Sequence, residues 1–120
     1  MTPEEILKTY WPLLLLAAWF AYRWQSSRRV LGKLPDLKRR GAMFIDVRTP
    51  QEFSAASANR TVNVPIQELA GRLNEIPRER PVVLCCASGT RSAMATRTLQ
   101  RRGYTEVYNA GSWRGLDGKL

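Results

Sequence analysis

The stretch PVVLCCASGTRSA, Pro81 to Ala93, decides the fold. An apolar run leads into Cys85 and Cys86, the two cysteines of the chain. A short loop follows, with Gly89 and Arg91, and then residues that read as a helix. A short apolar run bounded by turn residues reads as a buried strand. Strand, thiol, glycine-bearing loop and helix together describe the carboxyl edge of a parallel sheet, where ligands bind.

The neighbouring segments repeat this pattern. AMFIDV, 42–47, reads as a second buried strand. In TPQEFSAAS, Thr49 can N-cap a helix and Pro50 suits its first position. TVNVP reads as a short strand stopped by Pro65. IQELAGRLNEI sets Ile66, Leu69, Leu73 and Ile76 on one helical face. SAMATRTLQRRG reads as a helix closed by Gly103, and YTEVYNAG as a last short strand. Strands alternating with helices define an α/β fold: a small open parallel sheet flanked by helices on both faces. One N-terminal hydrophobic helix precedes it.

The chain has 120 residues, room for one domain with an appended segment. Its 19 Lys and Arg against 10 Asp and Glu give a net charge of +9, which suits anionic partners. It has no histidine, which removes Cys-His and Ser-His nucleophile pairs and most zinc sites. A reactive cysteine here must be activated by fields and hydrogen bonds. Adjacent cysteines in one strand point to opposite faces, so they form no ordinary disulfide.

In ILKTYWPLLLLAAWFAYRW, the 13 residues Tyr10 to Tyr22 are apolar or amphipathic aromatic. As a helix they reach about 20 Å, short of the roughly 20 residues of a span. Ile6 and Leu7 extend the run if Lys8 snorkels, and aromatics mark both ends like an interfacial belt. A signal peptide fits less well, because Glu4 and Glu5 stand where positive charge belongs. A helix packed on the domain would need a polar face. The expectation is a transmembrane helix over 1–25, a basic linker over 26–40 and the α/β domain over 41–120. Arg28, Arg29, Lys33, Lys38, Arg39 and Arg40 follow the apolar run, so the positive-inside rule places the domain in the cytoplasm. The expected location is thus the cell inner membrane, single-pass. Nucleic acid is disfavoured as a partner, since no aromatics interleave with these charges.

The loop from Cys86 to Arg91 carries the chemistry. Gly89 allows positive φ and close backbone approach. Successive N–H groups can turn inward to form an anion nest, and the helix starting near Ser92 adds its positive end. Arg91 adds a full charge. All three favour thiolate over thiol at Cys86. Cys85, facing the other way, reads as a small buried hydrophobe, with a resolving thiol as the alternative. The carboxyl end of the other strand brings Asp46 and Arg48 to the same edge.

With FIDVRTPQEF, VNVP and VVLCCASGTRSAMATRTLQRRGYTEVYNAGSW in order, the sequence resembles a single-domain rhodanese, a module of the thiosulfate sulfurtransferase type, from about Phe44 to Trp113. The resemblance implies that Cys86 attacks the outer sulfur of a small anionic donor and becomes a persulfide. Ala87, Ser88, Gly89, Thr90, Arg91 and Ser92 would bind the donor, with Asp46 and Arg48 supporting the loop. A thiol, a sulfur carrier or cyanide would take the sulfur. Neither metal nor cofactor is implied. The C-x4-R loop is one residue shorter than the C-x5-R loop of related phosphatases and arsenate reductases, which favours sulfur over phosphorus.

The sequence departs from the family in one segment. Where members carry G-H-I-x-G-A, this chain has ASANRT, with Ala56, Ser57 and Ala58 at G-H-I and Arg60 at the usual glycine. That departure supports a second reading, a catalytically weak membrane-tethered binding or sulfur-carrier module. A phosphatase or redox protein is a third, and RNA thiolation through Arg97, Arg101 and Arg102 a weaker one. Trp113 reads as a core residue.

Overall fold

A computed structural model describes residues 1–120. Helix α1 runs from Pro3 to Gly32 and α2 from Leu34 to Arg39. Strand β1 is Met43–Asp46, α3 is Pro50–Ala55 and β2 is Val62–Asn63. Strand β3 is Val82–Cys86, α4 is Thr90–Arg101 and β4 is Val107–Ser112. The four strands form one sheet in the order β2-β1-β3-β4, and every pairing is parallel.

Alternation along β3 builds two cores. Val82, Leu84 and Cys86 face one side, where Ala95 and Leu99 of α4 cover them with Leu69, Ile76 and Tyr104. Val83 and Cys85 face the other, under Val30, Leu34, Leu37, Trp113 and Leu116. Every residue of β3 is buried, as a strand between two covered faces requires. Between Leu84 and Cys85 the register with β4 shifts, so Leu84 pairs with Asn109 and Cys85 with Gly111.

The N-terminal segment corrects the membrane reading. Helix α1 is 30 residues long, yet no helix is long and apolar enough to cross a membrane. The apolar run is too short for the roughly 20 residues of a span, with Glu4, Glu5 and Lys8 on one side and Arg23, Arg28 and Arg29 on the other. The single-pass span, the membrane as partner and the inner-membrane location therefore do not stand.

Two further segments differ from expectation. Residues 26–40, read as a basic linker that Ser26, Ser27, Gly32 and Pro35 suit, are helical apart from Lys33 and Arg40 and bury Val30, Leu34 and Leu37. Those three recur at helical spacing, a pattern masked by the basic residues between them. The helix expected over 66–76 is instead two 3₁₀ turns, Leu69–Gly71 and Leu73–Glu75. Gly71 and the non-helical backbone of Arg72 (φ −120°) interrupt it, while Leu69 and Ile76 still reach the core.

Candidate active site

Asp46 and Cys85 are register partners on parallel strands, so the carboxyl ends of β1 and β3 share one edge. The chain leaves β3 at Cys86 and turns through Ala87 and Ser88. It enters α4 at Gly89, whose φ of +97° closes the turn. A residue with a Cβ would be strained there. A Cβ at Gly89 would also stand 2.9 Å from Nη2 of Arg23 and 3.1 Å from Cα of Gly111. The helix starts at Thr90, earlier than the expected Ser92. Thr90, Arg91 and Ser92 thus form the first turn, where backbone N–H groups lack intrahelical acceptors.

Cys86 is 1% exposed. Its Sγ accepts the Gly89 N–H at 2.9 Å, and Oγ of Ser92 lies 3.4 Å away. Burial opposes ionisation of this thiol. The Ser92 hydroxyl and the N–H groups of Ser92, Gly89 and Ser88 outweigh it and hold Cys86 below the ordinary thiol range. Cys85 is wholly buried. Burial raises its pKa strongly, Asp46 and Cys86 add to the rise, and Arg48 counters it. The two neighbours therefore differ in chemistry as well as in direction, and both are free thiols.

Arg91 does not stand free over the loop. Its Nη1 and Nη2 donate to Oε1 and Oε2 of Glu52 at 2.7 and 3.0 Å. Glu52 also closes a capping box with Thr49 at the start of α3. Arg91 first, and the Thr49 N–H second, hold the Glu52 carboxyl down at about 2. Asp46 and Arg48 form a buried ion pair, with Nη2 to Oδ2 at 2.8 Å. Arg48 also donates to the carbonyl of Ala56 at 2.7 Å and stacks over Trp113 at 4.8 Å. It thus fixes α3 to β1, and α3 presents Glu52 to Arg91. Of the remaining loop residues, Gly89 is buried, Ala87 is half-buried, and Ser88 and Thr90 are exposed with their hydroxyls 3.3 Å apart.

Sequence reasoning missed Asn109. From β4, its Oδ1 accepts from the Ser92 hydroxyl at 2.6 Å and from the Gly111 N–H at 2.9 Å, while Nδ2 donates to the Gly89 carbonyl at 3.1 Å. The Ser92 hydroxyl has one proton to give. It lies within reach of both Asn109 and Cys86, so it can turn toward sulfur when the thiolate forms. The available signal was an asparagine inside a strand, where that residue is disfavoured. Asn63 was missed as well; its Nδ2 donates to the carbonyls of Asp46 and Arg48 at 3.0 and 2.9 Å.

A four-stranded parallel sheet with a cysteine cradled at a strand end by the N-terminal turn of the following helix defines a small α/β domain with a thiol at its carboxyl edge. The chain belongs to the rhodanese-like domain family, whose pattern matches residues 31–117. A Bacillus subtilis protein described as uncharacterised, YqhL, is 34% identical over 116 residues, covering 90% of this chain and 92% of its own length. Thiosulfate sulfurtransferase PspE of Escherichia coli is 31% identical over 75 residues, covering 61% of this chain and 72% of its own. A sulfurtransferase of Allochromatium vinosum is 36% identical over 56% of this chain and 63% of its own length. A solved rhodanese from E. coli, crystallised with anions, superposes with a TM-score of 0.58 at 29% identity, covering 62% of this chain and 89% of its own. The family thus includes sulfurtransferase homologues at modest identity.

Proposed function

We propose that the protein is a rhodanese-type sulfurtransferase working through a Cys86 persulfide. The Cys86 thiolate attacks the outer sulfur of thiosulfate. The S–S bond of the donor breaks, sulfite leaves with its electron pair, and Cys86 carries one extra sulfur. An acceptor thiolate or cyanide then attacks that outer sulfur, and Cys86 leaves as thiolate. Ala87, Ser88, Gly89, Thr90, Arg91 and Ser92 supply the N–H groups, hydroxyls and charge that receive the anionic donor. Asp46 and Arg48 hold the neighbouring turn. The observation that carries the reading is the cradle around Cys86 Sγ, with the Gly89 N–H at 2.9 Å and Ser92 Oγ at 3.4 Å, an arrangement that favours the thiolate. The likeness to proteins named thiosulfate sulfurtransferase supports the donor class.

A second reading is a binding or sulfur-carrier module with little turnover. Two observations favour it: Cys86 is 1% exposed, and Arg91 is engaged by Glu52.

The test is mass spectrometry of the chain after incubation with thiosulfate. The expected result is a cyanide-labile gain of one sulfur, retained in Cys85→Ser and lost in Cys86→Ser. No adduct from thiosulfate or from persulfide donors would overturn the sulfurtransferase reading. An adduct formed without turnover on cyanide or thiols would favour the carrier.

A further inference from the structure

The C-terminal half of α1 borders the catalytic loop. Nη1 of Arg23 donates to Oγ1 of Thr90 at 3.0 Å, and its Nη2 rests against Gly89, whose N–H is given to Cys86 Sγ. Between the helix and the loop lies a cleft of about 400 Å³, lined by Phe20, Arg23, Trp24 and Ser27 on one side and Ser88 and Thr90 on the other. Arg28 also lines it. Neither Arg23 nor Arg28 has a carboxylate within ion-pair distance. Each is held instead over an indole: Arg23 over Trp19 at 4.7 Å and Arg28 over Trp24 at 4.6 Å.

Two oriented, uncompensated guanidiniums in a cleft with hydroxyls and aromatic walls are an anion-binding arrangement. The volume is far more than thiosulfate needs, and of the donor-binding loop only Ser88 and Thr90 line the cleft, while Cys86 does not. Both cations precede residue 31, where the family pattern begins, so this wall is an addition to the common domain.

We infer that the cleft between α1 and the catalytic loop is a subsite for the anionic part of an organic acceptor thiol, with Arg23 setting the preference for charge. The inference rests on the sulfurtransferase reading above. After the first half-reaction the transferable sulfur stands one bond beyond Sγ, and the acceptor must approach it from outside the loop. Arg23 sits at that rim. An acceptor whose carboxylates are held by Arg23 brings its thiolate across Gly89 and Thr90. Its sulfur attacks the outer sulfur, the Cys86–S bond breaks, and Cys86 departs as thiolate while the acceptor leaves as a persulfide. A neutral thiol reacts at the same sulfur without this anchor.

The experiment uses the full chain with thiosulfate as donor and two acceptors of similar reach, mercaptosuccinate and uncharged thioglycerol. The quantity read is the ratio of their kcat/KM values. In Arg23→Ala this preference for mercaptosuccinate should fall about tenfold, the loss expected of one charge-assisted contact. Arg23→Lys should restore most of it, and Arg101→Ala, a charge removed from the exposed face of α4, should leave it unaltered. Equal losses for both acceptors would make Arg23 a strut of the loop and overturn the subsite. A rise in KM confined to thiosulfate would place the anion on the donor and overturn the acceptor assignment. Binding is read separately, by quenching of tryptophan fluorescence with the unreactive thioether methylthiosuccinate. Equal affinity in wild type and Arg23→Ala would overturn the subsite even if every acceptor turned over. Weaker affinity in Arg23→Ala, alongside a wild type that shows no turnover, would keep the anion subsite and reject the sulfurtransferase.

Discussion

The guanidinium of Arg91 grips the carboxylate of Glu52 through two hydrogen bonds, at 2.7 and 3.0 Å, across 39 positions of sequence. Glu52 is held at about 2, against 4.5 ordinarily. A depressed carboxyl stabilises the fold above its unfolded pKa and loses that contribution as pH falls through the folded one. The contribution should therefore be complete from neutral pH to about 4.5 and decline between there and about 2, while the pair itself stays ionised until pH approaches about 2. Both partners are about one-third exposed, so solvent screens the energy involved. The Glu52 carboxyl shift followed by NMR should titrate near the lower value; a midpoint near 4.5 would contradict the pair.

Ser92→Ala removes a donor to the Cys86 thiolate. A hydrogen bond to a charged group stabilises the charged form, so the Cys86 pKa should rise. The rate of iodoacetamide alkylation against pH measures it. Wild type should react with a midpoint below the ordinary thiol value, and Ser92→Ala with one clearly higher. Asn109→Ala removes the competing acceptor of the Ser92 proton and should move the midpoint the other way.

Arg48→Met breaks the buried pair with Asp46. Leaving a buried carboxylate unpaired costs about 3–5 kcal/mol, and two carbonyl contacts go with it. The urea midpoint should fall accordingly. Replacing Asp46 by Leu in the same chain should recover a large part of the loss. A single variant within about 1 kcal/mol of wild type would show that the pair carries little of the fold.

Arg60 has φ of +67° and is the one non-glycine residue in the left-handed region. That conformation costs an L-residue about 1–2 kcal/mol, partly offset by the entropy glycine loses on folding. Arg60→Gly should stabilise the protein by about 0.5–1 kcal/mol in urea unfolding. Arg60→Ala should bring no such gain.

Cys85 titrates in the opposite sense to its neighbour. Its folded pKa is raised, so above the ordinary thiol range, roughly pH 8.5, the unfolded chain loses this proton and the folded chain keeps it. Stability should decline with rising pH in that window. Cys85→Ala should flatten that slope, whatever its effect on stability at neutral pH.

The strand VVLCC was readable because it is short, wholly apolar and bounded by Pro81 and a glycine-bearing loop. Thr49 and Pro50 announced α3, and Gly103 the end of α4, since caps are local chemistry. The family was legible for a similar reason: Cys86, Gly89, Arg91 and Ser92 lie within seven residues. What escaped was settled at a distance. Nothing near Arg91 in sequence shows that Glu52 will meet it. Asn109 reaches Ser92 and Gly89 from another strand, 17 and 20 positions away in sequence. Leu34 and Leu37 were hidden among lysines and arginines. In α1, aromatic residues drew attention to a span that is too short. The same helix holds Arg23 and Trp24, which face the loop.

The sheet keeps the two thiols apart, Cys86 in one core and Cys85 in the other. A cysteine oxidised to sulfenic acid is commonly rescued by a second thiol of its own chain. Here that thiol is one residue away and behind a partition. Damage at Cys86 must wait for a reductant arriving from solution, and peroxide that comes first drives it to the irreversible acids. Cys85 and Cys86 thus stand back to back without being placed to resolve one another.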